Sequence, residues 1–268
     1  MVKLKFVKYH ILLMYVFFVA SGSADSYSLY PNPEARYVGM GSAYVASVQG
    51  PVALLCNPAG LMDNSNYSFA LNIGNGSGYN EQFIAGRFLI GSNVSIGLGV
   101  HRLALESEIG DSIGFITGVA SELIEEELSI GGTIQGFVNS QSVNGMRISI
   151  GMQYTPHKII SIGTSVSSRG AFKNDSEAKI RIPFHARTGI QVRPFSSLAI
   201  NADAELARKN KKRELGELAR INYGFEWKLP LQMVSNDLSN KFSLFLRGGT
   251  RSGVVESDEG GVLYTWKR

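Results

Sequence analysis

From about residue 67 onward, apolar and polar residues alternate with a period of two over segments of ten residues and more. Ile180, Ile182, Phe184, Ala186, Thr188, Ile190 and Val192 fall on one side of such a segment. Lys179, Arg181, Pro183, His185, Arg187, Gly189, Gln191 and Arg193 fall on the other. Ile221, Tyr223, Phe225, Trp227 and Leu229 alternate with Asn222, Gly224, Glu226 and Lys228 in the same way. Ile148, Ile150, Met152 and Tyr154 do so with Arg147, Ser149, Gly151 and Gln153. Successive side chains of a β-strand point to opposite faces, so the pattern specifies strands with one apolar and one polar face. It predicts twelve, over residues 67–74, 81–90, 92–103, 112–119, 127–138, 144–155, 158–168, 179–193, 196–207, 219–229, 241–250 and 260–266. Gly74 to Gly78, Gly91-Ser92-Asn93, Asn139 to Gly145, Pro156 and Pro194 to Ser197 supply turn chemistry between them. The charged runs Arg208–Glu214 and Ser121–Glu127 lack the alternation and read as solvated loops.

Alternation alone fits a secreted β-sandwich as well as a membrane barrel. Length favours the barrel: globular strands average ~5–6 residues, whereas lipid-spanning ones need ~9–11. Glycines on the polar face, and Tyr154, Phe195, Trp227, Phe242 and Tyr264 near strand ends, suit a lumen and aromatic girdles. A closed barrel also leaves no unpaired backbone edge in lipid.

Only 18% of the 268 residues are charged and 44% are hydrophobic, which excludes intrinsic disorder. One Cys and four scattered His exclude a disulfide framework and a zinc cluster. The net charge of +4 owes much to Lys3, Lys5 and Lys8. Without them 23 basic residues face 22 acidic ones, which speaks against a nucleic-acid partner. Those lysines precede the apolar run Ile11 to Ala20, and Ser21-Gly22-Ser23-Ala24 follows it. Residues 1–24 therefore read as a secretory signal cleaved after Ala24. The alternative is a retained anchor, but ten residues rise only ~15 Å as a helix, about half a hydrocarbon core. Cys56 reads as a buried small hydrophobe rather than a lipid-bearing cysteine.

Between the signal and the first strand stand Gly39-Met40-Gly41-Ser42-Ala43-Tyr44-Val45-Ala46 and Val52-Ala53-Leu54-Leu55-Cys56-Asn57-Pro58-Ala59-Gly60-Leu61. A dinucleotide fingerprint fails here, because Tyr44 takes the place of the third glycine and no strand precedes the motif. A phosphate loop fails for want of a Gly-Lys-Ser/Thr ending. Asn57 before Pro58 favours an extended residue and then a tight turn, and Ala59 and Gly60 permit close backbone approach.

Gly39, Gly41, Ala43, Tyr44, Val45, Ala46 and the Asn57 to Leu61 segment resemble the N-terminal motifs of the FadL/PorV group of outer-membrane proteins. The resemblance implies an all-β fold: a transmembrane antiparallel β-barrel of about 12–14 strands spanning residues 63–268, with residues 25–62 as a luminal plug or hatch. Gly39, Gly41, Asn57, Pro58, Ala59 and Gly60 would be the plug's folding and gating elements. FadL-type members pass hydrophobic compounds, notably long-chain fatty acids, through the barrel as the plug moves. PorV-type members instead shuttle or anchor secreted proteins, and other relatives have no assigned function. The expected setting is the cell outer membrane, with lipid and the barrel-assembly machinery as partners and the barrel acting as a monomer. Two departures stand out: Leu55-Cys56 replaces an aromatic before Asn57-Pro58, and Leu263 to Arg268 lacks the terminal aromatic of such barrels. Fewer strands than fourteen, or a truncated barrel, would follow.

No cofactor motif is visible. His101, His157 and His185 lie on separate segments with no nucleophile placed beside them, so no enzymatic activity is expected. Lys179, Arg181, Arg187 and Arg193 share one face, with Arg147 on another strand. Arg181 and Arg187 are candidates for the headgroup of an amphipathic acid, against the alternative of an ion-pair network with Asp203, Glu205 and Glu226.

Overall fold

The computed structural model describes residues 35–76, 79–105, 111–139, 143–173, 181–211, 214–229, 244–256 and 263–265. The signal segment 1–24, the first part of the expected plug, and Lys179 and Phe242 lie outside them. Twelve strands follow one another: β1 Tyr67–Gly76, β2 Tyr79–Ile90, β3 Val94–Leu105, β4 Asp111–Ile124, β5 Leu128–Asn139, β6 Val143–His157, β7 Ile160–Lys173, β8 Arg181–Phe195, β9 Leu198–Lys211, β10 Glu214–Lys228, β11 Phe245–Glu256 and the short β12 Leu263–Thr265. Each pairs antiparallel with the next in a single up-and-down sheet.

The sheet is inside out by the standard of a soluble protein. On β4 the exposed positions are Ile113, Phe115, Thr117 and Val119, and the buried ones are Gly114, Ile116, Gly118 and Ala120. On β8 and β9 the buried row is His185, Arg187, Gln191, Asn201, Asp203 and Glu205, whereas Ile190, Ile200 and Leu206 are exposed. An apolar exterior around a polar interior is stable where the surroundings are lipid. Tyr154 and Phe195 face out near the end where β6 and β8 turn tightly into their neighbours, and Phe69 and Phe88 meet edge-on at 5.8 Å at the same end. Aromatic rings are favoured at that depth of a bilayer.

The core lies within the curve of the sheet. It joins Tyr37, Met40, Tyr44, Val48, Leu54 and Leu61 of the N-terminal segment to Phe83, Ala85, Ile116 and Ala120 of β2 and β4. The segment begins with helix α1, Ala35–Gly39, and continues through 3-10 turns at Pro51–Leu54 and Pro58–Leu61. Its residues meet the same face of every strand from β2 to β11, so the sheet rolls around it as a barrel wall.

Two loop assignments need correction. Arg208–Lys211 belongs to β9 and Glu214 to β10, with Lys211 opposite Glu214. β4 also runs through Ser121 to Ile124, and only Glu125–Glu127 forms a turn. Backbone pairing with a neighbouring strand continues past the point where the apolar row ends, and charged side chains there carry no penalty outside lipid. Pro156 sits not in a turn but at the end of β6, where the register with β7 shifts between Tyr154 and His157. A bulge is one of the few places within a sheet that proline tolerates.

Candidate functional site

The motif residues sit at the contact between the segment and the barrel wall. Helix α1 ends in a Schellman turn: Gly41 N donates to Val38 O at 3.0 Å and Ser42 N to Tyr37 O at 2.8 Å, with Gly41 at φ 60°. A side chain at Gly41 would also fall 2.7 Å from the Tyr223 carbonyl of β10, so both backbone conformation and close approach require glycine. Gly39 lies against the side chain of Arg247.

Asn57 is fully buried and ties three pieces of backbone together. Its Nδ2 donates to Val45 O at 2.8 Å and to Met152 O of β6 at 3.1 Å, while its Oδ1 accepts from Ala59 N at 3.3 Å. It thereby caps the turn in which Pro58 takes the first position, where its missing N–H is not needed. Gly60 accepts from Gly50 N at 2.8 Å, and a Cβ there would overlap the Val48 carbonyl. Ala59 is fully buried.

Opposite the segment the wall is bare. Inward glycines pair directly across adjacent strands: Gly97 with Gly118, Gly131 with Gly151, Gly163 with Gly189, and Gly224 with Gly249. Leu54 and Leu61 rest on the first pair, Asn57 and Pro58 on the second and Met40 on the fourth, while Val45 lies on Gly163. Asp203 Oδ1 occupies the space over Gly189. Period-two reading places glycine on the polar face, but only the register reveals the pairs.

Around these panes, wall side chains hold segment backbone. Asp203, 1% exposed, accepts from Tyr44 N at 2.7 Å and Val45 N at 2.9 Å. Arg187 donates to Ser42 O at 3.1 Å, lies 4.4 Å over the Tyr44 ring, approaches Asp203 at 4.0 Å and pairs closely with Glu205. Gln153 donates to Val48 O at 2.9 Å. Arg36 binds both oxygens of Glu226 at 2.9 Å, and Arg247 reaches the same carboxylate at 2.6 Å. Burial drives the Tyr44 hydroxyl well above the ordinary tyrosine range, so it stays neutral.

Arg87, which sequence reasoning did not single out, is fully buried where the segment enters β1. It donates to Leu61 O at 2.7 Å and Asp63 O at 3.0 Å, and also to Ser65 O. A lone arginine on an alternating strand carries no signal of this role, because its carbonyl partners belong to backbone and leave no trace in composition.

Arg187 is thus bound to the segment and to Glu205, and Arg181 does not share its face. Ser167 pairs with His185 but Arg169 with Ile182, so β8 holds an extra residue around Pro183, and Arg181 falls opposite Gly170. Gly170 is in turn opposite Met146, an outward position. A one-residue slip exchanges the two faces of a strand. Of the histidines, His101 lies 2.8 Å from Glu81, His185 lies 2.9 Å from Glu205, and His157 is exposed beyond the β6 bulge.

The inner wall mixes polar and apolar side chains. On β2 to β5 it presents Phe83, Ala85, Ile116 and Phe137 together with the buried polar side chains Glu81, Arg87, Ser95, His101, Thr133 and Gln135. On β6 to β10 it presents Arg147, Ser149, Ser165, Ser167, Arg187 and Asn222, all buried. Two open grooves of about 520 Å³ lie on the outer face instead, lined mainly by outward residues around Gly132 and Gly86.

These features define an antiparallel β-barrel fold with its N-terminal segment packed against the inner face of the strands. No family model and no curated protein matches the sequence. Among solved structures, the fold is similar to that of the Ralstonia pickettii toluene transporter TbuX. The TM-score is 0.56 over 84% of this chain and 88% of that one, at 13% identity. At that identity the likeness is one of fold.

Proposed function

We propose that the chain is an outer-membrane passage for hydrophobic compounds, with residues 35–62 as a plug that must shift for a compound to pass. The observation that carries this reading is how the plug is held. Wall side chains grip its backbone through a limited set of hydrogen bonds and glycine contacts, so it can leave the wall without breaking a strand pair. The apolar exterior and the shared fold with a toluene transporter support it. Long-chain fatty acids are the compounds the sequence resemblance suggests. No catalysis is assigned to the chain.

A second reading, a barrel that shuttles or anchors secreted proteins, is favoured by the close packing of polar side chains in the interior, where Gln191, Asn201 and Asn222 are each 1% exposed or less. Fatty-acid and toluene binding to the detergent-folded protein decides between them, with heat-modifiable gel migration as proof that the barrel has closed. Saturable binding that weakens in Asn57→Ala supports passage. A closed barrel that binds neither compound supports the second reading.

A further inference from the structure

At the end of the barrel where the tight turns lie, three guanidinium groups meet around one carboxylate. Glu226 of β10 points inward, with Ala199 of β9 on one side of it and Arg247 of β11 on the other. Arg36 of α1 binds both its oxygens, Nε to Oε2 and Nη2 to Oε1, each at 2.9 Å. Arg247 Nε donates to Oε2 at 2.6 Å, and the stem of Arg247 lies against Gly39 of the same helix. Arg193 of β8 completes the group. It stands two residues beyond the inward Gln191, and its neighbour on β9 is Ala199, because Val192 pairs with Ile200. Its charge is near enough to act on both Arg36 and Glu226.

One carboxylate offsets one of these three charges. Among the described residues Arg193 makes no ion pair, and the remaining carboxylates at this end are engaged or distant. Asp63 holds Ser65 and approaches Arg87 at 3.7 Å. Glu122 accepts from Glu126 N, and the glutamates of the β4–β5 turn stand five strands from β10 along the wall. Glu34 lies outside the described residues. The group is open to water: the Arg36 and Arg247 side chains are 25% and 29% exposed, and Arg193 is exposed. Guanidinium forks match the paired oxygens of a carboxylate or phosphate, and crowding like charges together favours a further anion between them.

We propose that Arg36, Arg193 and Arg247 form a binding site for an oxyanion, a carboxylate or phosphate group, at the narrow mouth of the lumen. These side chains face the lumen, so the oxyanion is a solute or the polar end of a compound in passage rather than a bilayer headgroup. Arg36 belongs to the N-terminal segment, whereas Arg193 and Arg247 belong to the wall. A bound oxyanion therefore bridges the two and fastens the segment in place. This inference rests on the reading of residues 35–62 as a plug.

The test uses the full barrel in detergent and follows maleimide labelling of Cys56, which is buried in the segment and reacts when the segment leaves the wall. Phosphate, acetate and octanoate are compared at one pH and one ionic strength balanced with chloride, with rates taken relative to a cysteine peptide in the same buffer. An anion that binds only the docked segment slows labelling by one plus its concentration over its Kd, so phosphate at ten times its Kd should slow it about tenfold. Octanoate acting at lower concentration than acetate supports the site and identifies the polar end of an amphipathic acid. Action by phosphate alone supports it for the free ion. Arg193→Gln, which leaves the Arg36–Glu226 pair in place, should remove most of the slowing, and Lys158→Gln, in the exposed β6–β7 turn, should keep it all. No slowing by any of the three anions in a barrel of heat-modifiable migration would overturn the site. So would equal slowing in Arg193→Gln, or slowing seen only in Glu34→Gln. None of these results touches passage, and a barrel slowed by phosphate that binds no hydrophobic compound would keep the site and lose passage.

Discussion

Replacing Asp203 tests the proposed plug most directly, and the native sequence supplies the probe. Asp203 accepts two backbone N–H groups of the N-terminal segment, from Tyr44 at 2.7 Å and Val45 at 2.9 Å, in a site closed to water. Alanine leaves both donors without an acceptor, at about 1–3 kcal/mol each where they stay buried. Part of this is recovered if water enters the space, so a net loss of about 3 kcal/mol is expected, which corresponds to a population shift on the order of 100-fold. Cys56 is the single cysteine of the chain and is buried within the N-terminal segment proposed to act as the plug. Its labelling by a maleimide therefore reports how often the plug leaves the wall, provided reclosing outpaces reaction. Labelling of Asp203→Ala should accelerate on the order of 100-fold. Asp203→Asn keeps an acceptor but loses its charge, and charge-assisted bonds are roughly twice as strong, so an increase of about fivefold is expected there. Arg187 remains paired with Glu205 in both variants, so the wall itself stays neutralised. Wild-type labelling rates in an Asp203→Ala barrel that still migrates in heat-modifiable form would refute the claim that this carboxylate holds the plug.

The glycine panes give a matched pair of variants. Gly151→Ala drives a methyl into Asn57 and Pro58 and should cost about 1–3 kcal/mol, seen as faster Cys56 labelling, whereas Gly136→Ala, with open space around it, should change nothing. Asn57→Ala removes the cap and both donor contacts, and should shift labelling at least as far as Asp203→Asn. Phe115, 70% exposed on the outer wall, tests the lipid-facing assignment: Phe115→Arg should lower stability by about 2–4 kcal/mol in vesicle-based unfolding, and Phe115→Leu by far less. Arg87→Met strips the donors from three carbonyls at the entry to β1, and limited proteolysis should then nick the chain between Leu61 and Ser65.

The strands were legible because their signal is local. A period of two needs no knowledge of neighbours, and each of the twelve predicted segments overlaps an observed strand. Their ends were less legible. Lys209 to Lys211 and Ser121 to Ile124 have no apolar row, and what makes them strand is hydrogen bonding to chain already in place. The local structure of the N-terminal segment was legible in part. Asn57 before Pro58 announces a capped turn, and the structure shows that cap, but nothing in the sequence says that its amide reaches Met152 of β6. Gly131 and Gly151 each read as a glycine in a strand. Their meaning is that they face each other beneath Pro58 and Asn57, which is a property of register.

Register also explains why parity misled at Arg181. Counting in twos from Gln191 through Gly189, Arg187 and His185 is sound, because each of these pairs in step with β9 or β7. The count fails near Pro183. Proline has no N–H to give the ladder, and around it the pairing with β7 moves from Ser167–His185 to Arg169–Ile182. One unpaired residue turns the remaining strand over, so Arg181 leaves the row of Arg187 for the row that ends at Met146. A proline inside an alternating run is thus the one local sign that parity should not be carried across it.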